Sequence, residues 1–208
     1  MMLWKKILMV GALSLGYYQW SQGKWIELES PLSHAVHFVE DAPTVSQDPV
    51  QKEIHKDLSF SFQEFTIQPL ASFQATARVL SSRHYRSGLE SRLSPVDLAL
   101  GWGRMSEDEI LKDIDISQAA RFYTWRLKEF PIPKKEISSH SANMHLIPAN
   151  REIDERIRDA GEGDVVRFRG YLVRIDGENG WSWHSSLRRD DTGPGACEIV
   201  LVEAFNIL

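Results

Sequence analysis

A single cysteine, Cys197, excludes any internal disulfide, so the core of this chain must hold without a staple. Cations are short too. The 24 Lys and Arg stand against 29 Asp and Glu, a net charge of −5, and they are scattered rather than gathered into a stripe. A phosphate backbone needs such a stripe, which excludes nucleic acid as a partner. Internal repeats and low-complexity tracts are missing, and so is the G-x-S-x-G elbow that would expose a nucleophilic serine at Ser185 or Ser186 beside His184.

What is present begins at the N-terminus. Lys5 and Lys6 precede an apolar run from Ile7 to Trp20, which closes with Tyr17, Tyr18, Trp20 and, further on, Trp25. Basic residues stay on the cytoplasmic side and aromatic rings settle among the headgroups, so a membrane anchor is expected over 1–22, with its N-terminus inside and the rest outside. The run is shorter than the ~20 residues a span prefers, but Met1 to Trp4 and the aromatics extend it. A cleaved signal peptide is the alternative. It would end in small residues of the A-x-A kind, whereas this run ends in Tyr17-Tyr18-Gln19-Trp20.

Residues 23–56 are polar, carry Pro31, Pro43 and Pro49, and show no sustained period, which reads as a tether over the membrane surface. One ordinary domain is then expected over 57–208. Leu58, Phe60 and Phe62 alternate as a strand, and after Pro69 so do Phe73, Ala75, Ala77 and Val79. Ser94-Pro95 reads as a helix start running through Leu98 and Leu100 to Gly101. Ser106 with Glu109 makes a capping box before Ile110, Leu111 and Ile114. Arg121 to Leu127 reads as a strand, ended by Pro131 and Pro133.

Asn150 caps an expected helix with Ile153, Ile157 and Ala160 inward, stopping at Gly161. Asp164 to Ile175 alternates as a strand, turns at Asp176 to Gly180, and returns from Trp181 to Leu187. A final strand is expected from Cys197 to Phe205. The order predicts an α+β fold with a mainly antiparallel sheet and short helices beside the N-terminal membrane helix. With glycines at 163, 170 and 180 where strands could bend, the sheet can close into a small OB-like barrel.

Candidate chemistry is sparse. His140 and His145 are five apart, which suits neither one face of a helix nor one face of a strand. In a loop they could converge on a metal with His184 or a carboxylate; the plainer expectation is that they and Asn143 hydrogen-bond the backbone of a long loop after Pro133. Asp191-Thr192-Gly193 matches the tripeptide of aspartic proteases but follows a polar stretch and has no second copy, so a turn is expected. Cys197 opens an apolar strand, where a lone cysteine is usually a small buried hydrophobe. Trp181 with Trp183, and Tyr123 with Trp125, share strand faces; exposed they would make a platform for a partner, and inward they are core.

At Leu93 to Gly103, His140 to Ala149, Arg169 to Val173 and Ser185 to Glu198, the chain resembles a family of short bacterial proteins that begin with a membrane segment and have no assigned activity. The resemblance implies a bacterial source, hence an inner-membrane anchor and a periplasmic domain. The expected function is a membrane-anchored binding or accessory module that meets an envelope or membrane protein, with neither metal nor cofactor. Its expected surface joins the loop carrying His140, Asn143 and His145 to Trp181, Trp183, His184 and the turn carrying Arg188, Asp190 and Asp191. The alternative is a hydrolase or metal-dependent enzyme built from His140, His145, His184 and Asp190 or Asp191.

Overall fold

A computed structural model of the protein describes residues 25–26, 38–188, 191, 193 and 195–208. The expected membrane helix falls on residues outside these, and no helix among the described residues is long and apolar enough to cross a membrane. The fold is α+β, mostly antiparallel sheet with a few short helices.

Its spine is β3, Phe65–His84, twenty residues in which Phe65, Ile67, Ala71, Phe73, Ala75, Ala77 and Val79 are buried. One edge pairs in turn with β2 (Phe60–Phe62), β1 (Val50–Glu53) and β4 (Val96–Gly101), all antiparallel. The other edge pairs antiparallel with β8 (Val165–Asp176) along most of its length. Beyond β4 lies β7 (Ser141–Pro148), then β10 (Glu198–Ile207), which is parallel to β7 and antiparallel to β8. Because β8 pairs back to β3, the strands β3, β4, β7, β10 and β8 form a closed ring. Register shifts between Pro69 and Ala71 and between Val79 and Ser81 give β3 the local bends that allow one strand to serve both sides of the ring.

Inside the ring, large and small side chains face each other across the β3–β8 ladder. Ala75 registers with Phe168 and Phe73 with Gly170, and the rings of Phe73, Phe168 and Phe205 stack within about 6 Å, with centroids 5.9 and 6.0 Å apart. Val96, Leu98 and Leu100 of β4 and Ala142, Met144 and Leu146 of β7 complete that core. A helix, α3 (Arg151–Asp159), runs between β7 and β8. Asn150 accepts a hydrogen bond from the Ile153 amide at 3.0 Å and caps it as expected, while Ile153 and Ile157 turn inward.

Between β4 and β7 the chain makes a second layer: α1 (Asp108–Leu111), the hairpin of β5 (Asp115–Ala119) and β6 (Phe122–Arg126), and α2 (Lys134–Ser139). It closes a smaller core around Leu80, Ala99, Met105, Ile110, Ile114, Ile132 and Ile137. Packed from inside and outside, every residue of β4 and β7 is buried.

Four expectations are corrected. The segment after Ser94-Pro95 is strand β4, not a helix, and His140 to Ala149 is mostly strand β7, not a loop. Pro69 does not separate two strands, since β3 runs through it. Ser106 forms no capping box; its hydroxyl donates to the Gly103 carbonyl at 2.6 Å, and α1 is a single turn.

The boundary of the tether at residue 56 does not hold either. β1 pairs with β3, Phe38 packs on Tyr171 at 5.5 Å, and the buried indole of Trp102 donates to Asp48 at 2.9 Å. Asp48→Ala is therefore expected to cost about 1 kcal/mol in urea denaturation, because it leaves the Trp102 N–H without its acceptor. A free tether would give no change.

Candidate functional site

The outward face of β4 and β7 carries charge, Asp97 in an otherwise apolar β4 and His145 in a β7 that also holds Ser141 and Asn143. Asp97 and His145 are registered partners, fully buried and nearly so. His145 Nδ1 lies 2.9 Å from Asp97 Oδ1 without a hydrogen bond between them. The same Oδ1 accepts from Arg121 Nη1 at 2.6 Å and from Ser94 Oγ at 3.4 Å. A carboxylate this deep requires such partners.

Arg121 arrives from the tip of the β5–β6 hairpin, whose Ala119 and Phe122 are registered across a two-residue turn. Both turn residues are left-handed, Ala120 at φ 49° and Arg121 at φ 69°. Such turns favour Asn-Gly, and an L-residue with a Cβ costs roughly 1–2 kcal/mol there. The tip is held by what Arg121 reaches. Its guanidinium also donates to the Ser94 carbonyl at 2.9 Å and lies 3.8 Å over the Tyr85 ring, and its amide donates to Tyr85 Oη at 3.1 Å. Gln118 Nε2 donates to Asn143 Oδ1 at 2.6 Å, and Asn143 Nδ2 to the Arg121 carbonyl at 3.0 Å. The hairpin is thus latched onto the ring by polar groups.

Next to this latch is a cleft of about 380 Å³ between β6, α2, the start of β7 and residues 191, 193 and 196–198. Trp102, Phe122, Tyr123 and Trp125 supply aromatic wall; Asn143, Asp191, Cys197 and Glu198 supply polar lining. Phe122 is 45% exposed, whereas Glu198 is 2% exposed. Burial, and then the Glu198 carboxylate, push the Tyr123 phenol up, though its hydrogen bond with Ser141 opposes this. The same two causes, in the same order, push the Cys197 thiol up to about 11.

At that value the thiol is protonated near neutrality and is no nucleophile. Alkylation of native protein by iodoacetamide is expected to be slow at pH 7.5 and to climb about tenfold per pH unit up to about 11. A rate that levels off near pH 8.5 would contradict the burial of Cys197.

The residues expected from sequence divide between sites. Asn143 and Asp191 both line the cleft, which therefore brings the 140–149 segment together with Asp191 and Gly193 of the expected turn. Asp191 Oδ2 accepts from Ser186 Oγ at 2.7 Å, and the same hydroxyl accepts from the Arg188 amide at 3.0 Å. Asp190 lies outside the described residues. His145 faces Asp97, with the Trp183 ring 4.8 Å from its own. His140 caps α2, its ring beside Trp102 and its Nε2 3.7 Å from Asp48, so the two histidines part rather than converge. His184 is exposed on β9 (Ser182–His184), and among the described residues no group of three His, Cys, Asp or Glu could hold a metal. Trp181 packs against Phe65 at 5.7 Å, so both tryptophans of the pair rest on the core.

Asp97, Arg121, Gln118, Tyr85 and Glu198 were not singled out by sequence reasoning. One signal was available: Asp97 is the only polar residue in Val96-Asp-Leu-Ala-Leu100, where a charge inside an apolar run must have a partner. No family model, curated protein or solved structure matches the chain.

Proposed function

We propose that this protein is a binding module held at the bacterial inner membrane by residues 1–22, with its domain in the periplasm, and that it takes an extended segment of an envelope protein into the cleft beside β6. The strand order of the ring, with a helix between its third and fourth members, supports an OB-type barrel, a fold that binds chain-like ligands against its second and third strands and the loops around them. Here those strands are β4 and β7, and the chain's own hairpin covers them.

One observation carries the reading. Among the described residues β6 pairs only with β5, and four consecutive residues of it, Phe122 to Trp125, line the cleft. An open strand edge along a concavity supplies main-chain hydrogen bonds to an added strand, while the aromatic wall accepts its side chains. The hydrolase alternative draws on His140, His145 and His184, which are held apart.

The test places a photo-crosslinking phenylalanine analogue at Phe122, exposed at the cleft, or at Ile207, 41% exposed on the terminal strand, in the full chain in cells. A discrete adduct to an envelope protein is expected at Phe122 alone, mapping to one short peptide. Equal labelling at both positions, or none at Phe122, would overturn the reading. Alkaline phosphatase fused after Leu208 checks topology independently, and an inactive fusion would refute the outside placement.

A further inference from the structure

A second cavity of about 380 Å³ lies away from the cleft, where Trp25 and Ile26 meet Phe62, Tyr85, Leu93 and Pro148. Ile26 is only 5% exposed and belongs to the main core. The chain is thus fixed to the domain five residues after Trp20, the last aromatic of the apolar run. Five residues reach at most about 18 Å even when fully extended. If the run spans the bilayer, this face of the domain stands at the headgroups rather than at the end of a long tether.

That face is arginine-rich. Arg86, Arg92 and Arg158 line the cavity, together with one carboxylate, Asp154. Arg158 donates to Asp154 at 2.8 Å and Arg92 pairs with Glu64, each leaving further N–H donors on a five-donor fork, while Arg86 is exposed. The positive field is felt nearby: burial first, then Arg158 and Arg86, hold the His84 imidazole below its usual range, against an opposing pull from Asp154. Trp25 and Tyr85 give the rim the amphipathic rings found at membrane interfaces.

We infer that this cavity seats the phosphate headgroup of an anionic phospholipid, with Arg86, Arg92 and Arg158 as its donors, and so fixes the orientation of the domain on the membrane. The inference rests on reading 1–22 as a membrane anchor. It differs from a simple surface attraction in naming a concave site with aromatic walls, which seats one headgroup rather than a diffuse layer of charge. Guanidinium forks match phosphate oxygens bidentately, which an ammonium cannot do.

The test is native mass spectrometry of the full chain in a non-ionic detergent, with phosphatidylglycerol, phosphatidylcholine or inorganic phosphate added. Preferential retention of phosphatidylglycerol is expected, weakened on the order of fivefold in Arg86→Gln and about twenty-five-fold in Arg86→Glu, one and two charges respectively. Arg86 is exposed, so both variants should melt like the parent. Equal retention of the two lipids, or parental retention by Arg86→Glu, would overturn the inference. Displacement of the lipid by millimolar inorganic phosphate would also overturn it, in favour of a free phosphate site. If the anchor reading alone fails, the phosphatase fusion reports that, while the full chain still shows the Arg86-dependent adduct.

Discussion

Asp97→Ala is expected to lower the unfolding free energy by roughly 3–5 kcal/mol, read from urea denaturation with an unchanged slope. The carboxylate is 0% exposed and is the shared partner of Arg121 and His145. Removing it leaves a guanidinium, only 17% exposed, facing a vacated apolar space. It also withdraws what offsets the left-handed turn at Ala120 and Arg121, so the hairpin tip should lift before the ring melts. Hydrogen exchange would show this as lost protection confined to 115–126. Replacing both charges together, as Asp97→Leu with Arg121→Met, should cost less than Asp97→Ala alone, because no unpaired charge stays behind. A loss under about 1 kcal/mol for Asp97→Ala would mean that the apolar layer, not the latch, holds the hairpin.

Gly170→Ala is expected to cost more than about 3 kcal/mol, for a different reason. A Cβ built at Gly170 would lie 2.0 Å from the Leu201 carbonyl oxygen and 2.9 Å from its carbon. Those are backbone atoms of the neighbouring strand, and no side chain can swing aside to make room. The register there pairs Gly170 with Val202 on one side and with Phe73 on the other, next to the irregularity between Val202 and Ala204. The only relief is to move β10 away from β8, which opens the ring. Thermal melting monitored by aromatic circular dichroism would detect this, and a variant melting within a few degrees of the parent would contradict the close approach.

Legibility in the sequence followed exposure only in part. β6 and the first half of β8, each with one face in water, were readable, and the capped helix after Asn150 shows both its cap and its apolar stripe, whereas β5 was missed because its inward positions are Ile116 and the polar Gln118. β4 and β7 were not readable, because the second layer buries their outer faces and erases the period-2 pattern. In β4 the run Val96-Asp-Leu-Ala-Leu100 offers apolar residues at spacings that a short helix also satisfies. The candidate site was hidden by the same cause. Asp97 and His145 look like stray polar residues until the register of β4 and β7 sets them side by side and the hairpin, from another stretch of chain, delivers Arg121. Asn143 and Asp191 were found by their residue types alone. The partial tether reading failed because β1 is only four residues long and its ladder partner lies beyond Pro69.

The parallel pairing of β7 with β10 sets a constraint on how this molecule acquires its structure. β10 is inserted between β7 and β8, so the facing edge of each of those strands has no neighbour until residues 198–207 are in place. The β3–β8 ladder is more remote still in sequence, joining Thr66 to Asp176 at one end and Arg78 to Val165 at the other. Closure entropy for such distant pairs is spent before any of their contacts form, which slows folding. In the interval the facing edges of β7 and β8 lie open in a growing chain, and open apolar edges are where chains stick to one another. Refolding from urea should accordingly be slow and its yield should fall as protein concentration rises, with a ring lacking one stave as the species that aggregates.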